Sequence, residues 1–179
     1  QTAAVMFMVP FGISLAATVR VGQAVGRRDT EATRRAGLSA IGLGVVFMAT
    51  MTVLVALTRH HIPLLFLGAD ATDAAETIAL AALLLVMGMS FFIADGVQTV
   101  AAGALRGLND TRIPLAFAAL SFWVIGFASC YWLAFPKGMG ALGVWIGLSL
   151  GLAIYAILLV WRFHALTARG YLPEVAEAT

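Results

Sequence analysis

Five long apolar runs constrain the fold of this chain more than any other feature. Four of the runs have no charged residue and the fifth has one, and each reaches the roughly 20 residues that a membrane-spanning helix needs: 1–19, 36–58, 77–105, 113–136 and 138–161. Hydrophobic residues make up 61% of the 179 residues and charged residues only 11%, which is not the balance of a water-soluble domain. We therefore predict an all-α membrane protein with five transmembrane helices.

Short polar connectors set the approximate limits of these helices. The predicted spans cover residues 1–25, 33–58, 75–105, 112–135 and 139–163. Asp29 or Thr30 is expected to cap the second helix, and Asp110 or Thr111 the fourth. Pro114 then falls in the first helical turn, where its missing N–H does little harm.

The basic residues predict the orientation of the chain. If the connector after the first span is cytoplasmic, nine of the eleven basic residues lie on or beside the cytoplasmic face, and only Arg59 and Lys137 lie outside. The positive-inside rule then places residue 1 outside and a polar tail, residues 166–179, in the cytoplasm. Because the arginines flank apolar spans and do not form one basic surface, membrane lipids are expected partners and nucleic acid is not.

Asp95 is the most informative residue for function, because it is the only charged residue between positions 77 and 105. It precedes Arg106 by eleven positions. At a rise of about 1.5 Å per residue this distance places it near the middle of the membrane. A carboxylate there is unfavourable by roughly 2.5 to 3.5 kcal/mol, so a cation, proton or ligand site is its default interpretation. Helical spacing predicts five neighbours that line the same face, a set that suits an organic cation or a small ion: Gly88, Phe91, Phe92, Gln98 and Thr99.

A structural role for Asp95 is the alternative, in which it pairs with a cation on a neighbouring helix such as Arg20. Enzymatic chemistry is not expected, because the spans contain no histidine that would activate a serine and the chain has no phosphate-binding GxxxxGK[ST] loop. Cys130 is the only cysteine, so it is expected to be a packing residue and not part of a cysteine-based metal site.

Proline, glycine and hydroxyl residues predict local features of two spans. Pro10 and Gly12 predict a bend in the first span. Ser14 and Thr18 lie one turn apart beyond it, where their hydroxyl groups can bond back to their own helix. A series of small residues in the fifth span predicts the close approach of another helix: Gly143, Gly147 and Gly151.

Two motifs carry a resemblance to a known family. The first combines residues 8–14, MVPFGIS, with residues 19–23, VRVGQ, and the second is residues 102–114, AGALRGLNDTRIP. With these motifs in this order, nearly the whole chain resembles the C-terminal part of a multidrug and toxic compound extrusion (MATE) transporter of the NorM-like bacterial branch. Such transporters have twelve spans in two six-helix lobes. The resemblance implies that residues 1–165 form five spans of the C-lobe, and that the N-lobe and the first C-lobe span are missing.

The resemblance also implies a function for the complete protein. It would be a secondary antiporter in the bacterial inner membrane that exports amphipathic or cationic drugs against Na⁺ or H⁺, with no cofactor besides the coupling ion. Asp95 matches the aspartate that helps to bind this ion, and it would be a Na⁺ ligand if coupling uses sodium. Two alternatives stay open. One is a lipid-linked saccharide flippase, whose cavity should carry cationic groups, and the other is a non-transporting membrane subunit.

Overall fold

The structure, a computed structural model, describes the backbone of residues 2–58 and 74–173 and the side chains of residues 4–58 and 91–173, together with the position of Gly88. The described residues form six α-helices: α1 (Thr2–Gly26), α2 (Thr30–Thr58), α3 (Ala74–Gly107), α4 (Arg112–Ala119), α5 (Phe127–Ala134) and α6 (Gly140–Ala168). A π-helical segment, Leu120–Gly126, joins α4 to α5. The predicted all-α fold class is confirmed.

Helices long and apolar enough to cross a membrane account for most of the described chain. Four such spans are found there: Ala4–Gly26, Thr30–Thr58, Arg112–Ala134 and Gly140–Ala168. The helix that carries Asp95, α3, has 34 residues. Helix α6 continues to Ala168, so it includes the first residues of the predicted tail. The rest of that tail from residue 174 lies outside the described residues.

Helix α3 occupies the centre of the bundle, where it packs against α1, α2 and α6. The core between these helices is apolar and includes the fully buried side chains of Val100, Leu105 and Phe163. Gly37 of α2 lies directly against the ring of Phe163, because a Cβ atom at that position would overlap the ring. Close packing of this kind drives helix association in a bilayer, where lipid is as apolar as the helix surface.

Hydroxyl groups join α1 to α3. The Ser14 hydroxyl donates to the carbonyl oxygen of Thr99 at 2.8 Å, and the Thr18 hydroxyl lies 2.9 Å from the carbonyl oxygen of Gly103. The Thr18 hydroxyl is also 3.0 Å from the carbonyl oxygen of Ser14. The prediction that both hydroxyls bond to their own helix is therefore confirmed for Thr18 and wrong for Ser14, which bonds to α3. A Cβ atom at Gly103 would collide with the backbone and hydroxyl of Ser14. These four residues define the α1–α3 interface.

The proline and glycine residues of α1 and α6 differ in their surroundings. Helix α1 continues on both sides of Pro10, which is buried, while Gly12 is exposed. In α6, a Cβ atom at Gly147 would lie 2.5 Å from the backbone nitrogen of Cys130, and one at Gly151 would lie 2.9 Å from the carbonyl oxygen of Ser121. The close helix approach predicted for the α6 glycines is therefore confirmed.

The two predicted helix caps have different outcomes. Asp29 accepts a hydrogen bond from the backbone N–H of Ala32 at 2.9 Å, as predicted for a cap of α2. At α4, Thr111 occupies the cap position but makes no side-chain cap hydrogen bond. Asp110 instead accepts a charge-assisted hydrogen bond from Nε of Arg162 at 2.9 Å. The prediction of a side-chain cap by Asp110 or Thr111 is wrong, because Asp110 ties the α3–α4 connector to α6.

Candidate cation site

The half-buried carboxyl group of Asp95 lies at a cavity of about 130 Å³ between α3, the π-helical segment and α6. We call this space the Asp95 cavity. Its lining is mostly apolar and comes from three parts of the chain: Phe91, Asp95, Phe122, Trp145, Leu148, Ser149 and Leu152.

Aromatic rings form much of the wall of the Asp95 cavity. The ring centroids of Phe91 and Trp145 are 5.4 Å apart, with the ring planes inclined at 65°. Phe122, from the π-helical segment, contributes a third ring, and its centroid lies 5.4 Å from that of Tyr155. Aromatic faces attract cations through the ring quadrupole. Rings beside a carboxylate make a site suited to a small cationic group.

Polar contacts to the carboxylate come from its own helix. The Gln98 side-chain amide lies 3.2 Å from Oδ1 of Asp95 and 3.3 Å from the hydroxyl of Thr99. On α6, the hydroxyl of Ser149 donates to the carbonyl oxygen of Trp145 at 2.9 Å. The amide therefore orients the carboxylate without neutralising its charge.

Arg20, the alternative partner of Asp95, lies elsewhere. It is exposed and lines a groove between α1 and α2. The ion pairs found within residues 4–58 and 91–173 are Arg35–Glu31 and Arg162–Asp110, and neither involves Asp95. The structure therefore shows no counter-charge for Asp95 among the side chains that it describes.

Only two of the five predicted neighbours of the Asp95 carboxylate lie at the cavity or bond to the carboxylate. Phe91 lines the cavity and Gln98 bonds to the carboxylate. Phe92 is only 4% exposed and packs among buried side chains of α1 and α2, and Thr99 belongs to the α1–α3 interface. Gly88 is buried, and a Cβ atom there would lie 3.4 Å from the ring of Phe92. These last three positions pack the bundle and do not line the cavity.

Sequence reasoning missed the cavity residues that come from distant parts of the chain. Trp145 and Ser149 share one face of α6, so their spacing carried a weak signal. Phe122 carried none, because its position depends on the π-helical segment, in which the N–H of Phe127 bonds to the carbonyl oxygen five residues earlier. Each such turn takes in one more residue than an α-turn and changes the face on which the following side chains lie.

Few of the described side chains that line the Asp95 cavity could supply an oxygen ligand to a metal ion. The lining side chains that carry oxygen are Asp95 and Ser149. Within the residues that the structure describes, no group of three or more His, Cys, Asp or Glu side chains is placed to hold a metal ion. Hard cations such as Ca²⁺ take about six to eight oxygen ligands. A complete Na⁺ shell would therefore need oxygens beyond these two side chains, whereas a proton or an organic cation would not.

Long apolar helices packed around a central helix define a multi-pass membrane protein. Residues 1–132 match the MatE family, and the chain belongs to this family. It is 64% identical over 176 residues to the probable multidrug resistance protein NorM of Rhodopseudomonas palustris, a match that covers 98% of this chain and 37% of the relative. It is 51% identical over 168 residues to the multidrug resistance protein NorM of Burkholderia vietnamiensis, covering 94% of this chain and 36% of the relative. The predicted resemblance to the NorM-like branch is confirmed.

Solved structures show the same fold. The eukaryotic MATE transporter AtDTX14 matches with a TM-score of 0.79 and 20% identity, over 94% of this chain and 38% of that protein. A MATE family transporter of the MOP superfamily in an inward-facing conformation matches with a TM-score of 0.76 and 19% identity. Both of these solved proteins are named as transporters, and the membership of this chain in the MatE family agrees with the expectation that it is not an enzyme. The chain spans a little over a third of the length of the proteins that it matches.

Proposed function

We propose that this chain is part of a secondary transporter that exports amphipathic, often cationic drugs while Na⁺ or H⁺ moves inwards. The observation that carries the proposal is the Asp95 cavity, in which a carboxylate without a described ion-pair partner lies beside aromatic rings. The names of the relatives, which are multidrug resistance proteins, support the same function. In the proposed full-length protein, an N-lobe and a further C-lobe span would supply the rest of the drug cavity and the remaining ligands of a Na⁺ ion.

The chemistry of the exchange follows from a single negative charge. When a drug cation is bound, the Asp95 carboxylate neutralises it and the rings of Phe91, Phe122 and Trp145 contact it. When H⁺ or Na⁺ is bound, the carboxylate is already neutralised and the attraction for the drug falls. Ion and drug therefore either compete for the carboxylate or bind preferentially to different conformations of the protein. Either mechanism couples the movement of the ion to the movement of the drug.

The arrangement of the helix ends supports an orientation with the C-terminus in the cytoplasm. The Arg162–Asp110 ion pair joins α6 to the α3–α4 connector, and Arg34 and His164 line one cavity between the start of α2 and the end of α6. The connectors that carry most of the arginines therefore meet at one end of the bundle. By the positive-inside rule this end would face the cytoplasm, and the membrane would be the bacterial inner membrane.

The two alternative functions make different demands on the site. A flippase for lipid-linked saccharides would need basic groups for its pyrophosphate, and the described lining of the Asp95 cavity includes none. A non-transporting subunit would use Asp95 in an assembly ion pair, and Arg20 lies in a separate groove. Drug export is therefore the better match to the geometry.

The test is efflux of a fluorescent organic cation from proteoliposomes that contain the full-length transporter, driven separately by a Na⁺ gradient and by a pH gradient. Asp95→Asn keeps the size of the side chain and removes its charge. We expect efflux under one of the gradients in the wild-type protein and only the leak of empty vesicles in the variant. The effective gradient identifies the coupling ion.

Asp29→Asn is the matched control, because asparagine caps helices about as well as aspartate and Asp29 lies in the α1–α2 connector. It should leave efflux unchanged. Full efflux by a folded Asp95→Asn variant would reject the role of Asp95. Failure of the folded wild-type protein under both gradients would reject antiport and favour the flippase or the subunit.

A further inference from the structure

Two further cavities lie outside the Asp95 cavity. The first, of about 350 Å³, is polar and is lined at the start of α2 by Thr30 and Arg34 and near the end of α6 by His164 and Thr167. The second, of about 620 Å³, is an apolar groove between α3 and α6. We propose that the two together form a binding site for an anionic phospholipid, with its headgroup in the polar cavity and an acyl chain in the groove. This site is independent of the drug and of the coupling ion.

His164 lies at the border of both cavities, because it lines each of them. On α6 the groove follows Ala153, Ile157 and Trp161, which recur every four residues, and His164 comes next on the same face. On α3 its wall includes Val97, only two positions from Asp95. Two residues rotate a helix by roughly 200°, so the groove lies on the opposite side of α3 from the Asp95 cavity.

The length of the apolar part matches one leaflet of a bilayer. Ala153 and Trp161 are eight positions apart, or about 12 Å along the helix axis. Half of a hydrocarbon core is about 15 Å. Trp161 is 59% exposed near the end of α6, as is typical of tryptophans at the membrane surface. The polar cavity therefore begins at the depth of the lipid headgroups.

The charge of the polar cavity favours an anion. Glu31 also lines it, but the carboxylate of Glu31 accepts a hydrogen bond from Nε of Arg35 at 2.8 Å. Arg34 takes part in neither of the ion pairs found among the described residues. A guanidinium group binds phosphate oxygens with two parallel N–H donors, and the hydroxyl group of Thr30 can add a further hydrogen bond. A phosphodiester headgroup with a net negative charge matches these donors better than a zwitterionic one.

The test is native mass spectrometry of the full-length transporter mixed with equal amounts of phosphatidylglycerol and phosphatidylcholine of the same acyl chains. We expect the wild-type protein to retain phosphatidylglycerol preferentially. Arg34→Gln should reduce this preference about fivefold, the factor for one arginine near a lipid surface. Arg34→Lys should keep most of it. Ala153→Phe, which fills the groove, should reduce retention of both lipids.

Arg112→Gln is the matched control, since Arg112 is exposed at the start of α4 and does not line either cavity. An equal loss of preference in this control would show general surface attraction and overturn the site. So would an unchanged preference in Arg34→Gln, or an Ala153→Phe variant that binds as the wild type does. Competition by soluble glycerol phosphate would assign the cavity to a free anion instead. Asp95→Asn should keep the lipid preference even though it loses efflux, which separates this proposal from the proposed function.

Discussion

The two sides of α3 that face α1 and the Asp95 cavity contrast sharply. Towards α1, the hydroxyls of Ser14 and Thr18 bond to carbonyl oxygens of α3, and Gly103 allows the backbones to touch. Towards the cavity, Asp95 has a single described hydrogen-bond donor, Gln98, and about 130 Å³ of space beside it.

The difference suggests a division of roles within one transmembrane helix, with packing on one side and the proposed binding site on the other. Polar groups on the α1 side have partners inside the protein, so they stabilise the bundle. The carboxylate on the other side is costly in a bilayer and finds no described counter-charge, which is why we propose that it binds a ligand. Changes at the α1–α3 interface should therefore affect stability, and changes at the cavity should affect binding.

The largest effect is expected for Gly103→Val. The new side chain would collide with the backbone of Ser14, and overpacking of this kind costs about 1 to 3 kcal/mol or more. Thermal unfolding of the purified full-length protein in detergent should show a clear fall in midpoint. Gly42→Val is the control, because no atom lies within 4 Å of a Cβ there and its midpoint should hardly change. Equal stability of the two variants would mean that the α1–α3 interface is not tightly packed.

An intermediate effect is expected for Phe122→Ala at the cavity. Losing one ring should weaken binding of a fluorescent organic cation by about 0.5 to 2 kcal/mol, or roughly two- to thirtyfold, while a neutral analogue of the same shape loses less. Equilibrium titration of both dyes measures the difference. Phe127→Ala is the control, since this ring is 64% exposed and does not line the cavity. If both dyes lose affinity equally, the ring acts by shape and not by attraction for charge.

The smallest effect is expected for Ser14→Ala. It removes one buried hydrogen bond between α1 and α3, worth about 0.6 kcal/mol on average between membrane helices. The unfolding midpoint should fall slightly, and the affinity for an organic cation should stay the same. Ser39→Ala, at an exposed position of α2, should change neither. A change in cation affinity in Ser14→Ala would break the separation between the two sides of α3.

Much of the fold was predictable because a bilayer imposes simple rules. An apolar run of about 20 residues has to be helical, since no water is present to bond to its backbone. The same rule singled out Asp95, because a charged side chain in hydrocarbon is energetically costly and is seldom present without a functional or structural role. The Asp29 cap and the close contacts of the α6 glycines were also correct, because both depend on residues close in sequence or on the absence of a side chain.

The lining of the site was less predictable. Helical spacing placed Phe92 and Thr99 beside Asp95, but a face of α3 is wide enough to meet both α1 and the cavity, and these two residues pack inside the bundle. Asp110 was expected to cap its own helix, and it bonds instead to Arg162, 52 positions away. Spacing along the sequence cannot predict which partner Asp110 binds, because the stronger partner, Arg162, belongs to another helix.

The sequence by itself determined the membrane class, the helices and the position of the buried charge, because each follows from the length of an apolar run or from a residue type within it. Only the tertiary structure decided which rings surround Asp95. Phe122 and Trp145 reach the cavity through the π-helical segment and through the packing of α6 on α3. Helix packing in lipid depends on the shape of whole surfaces, so no short stretch of sequence contains that information.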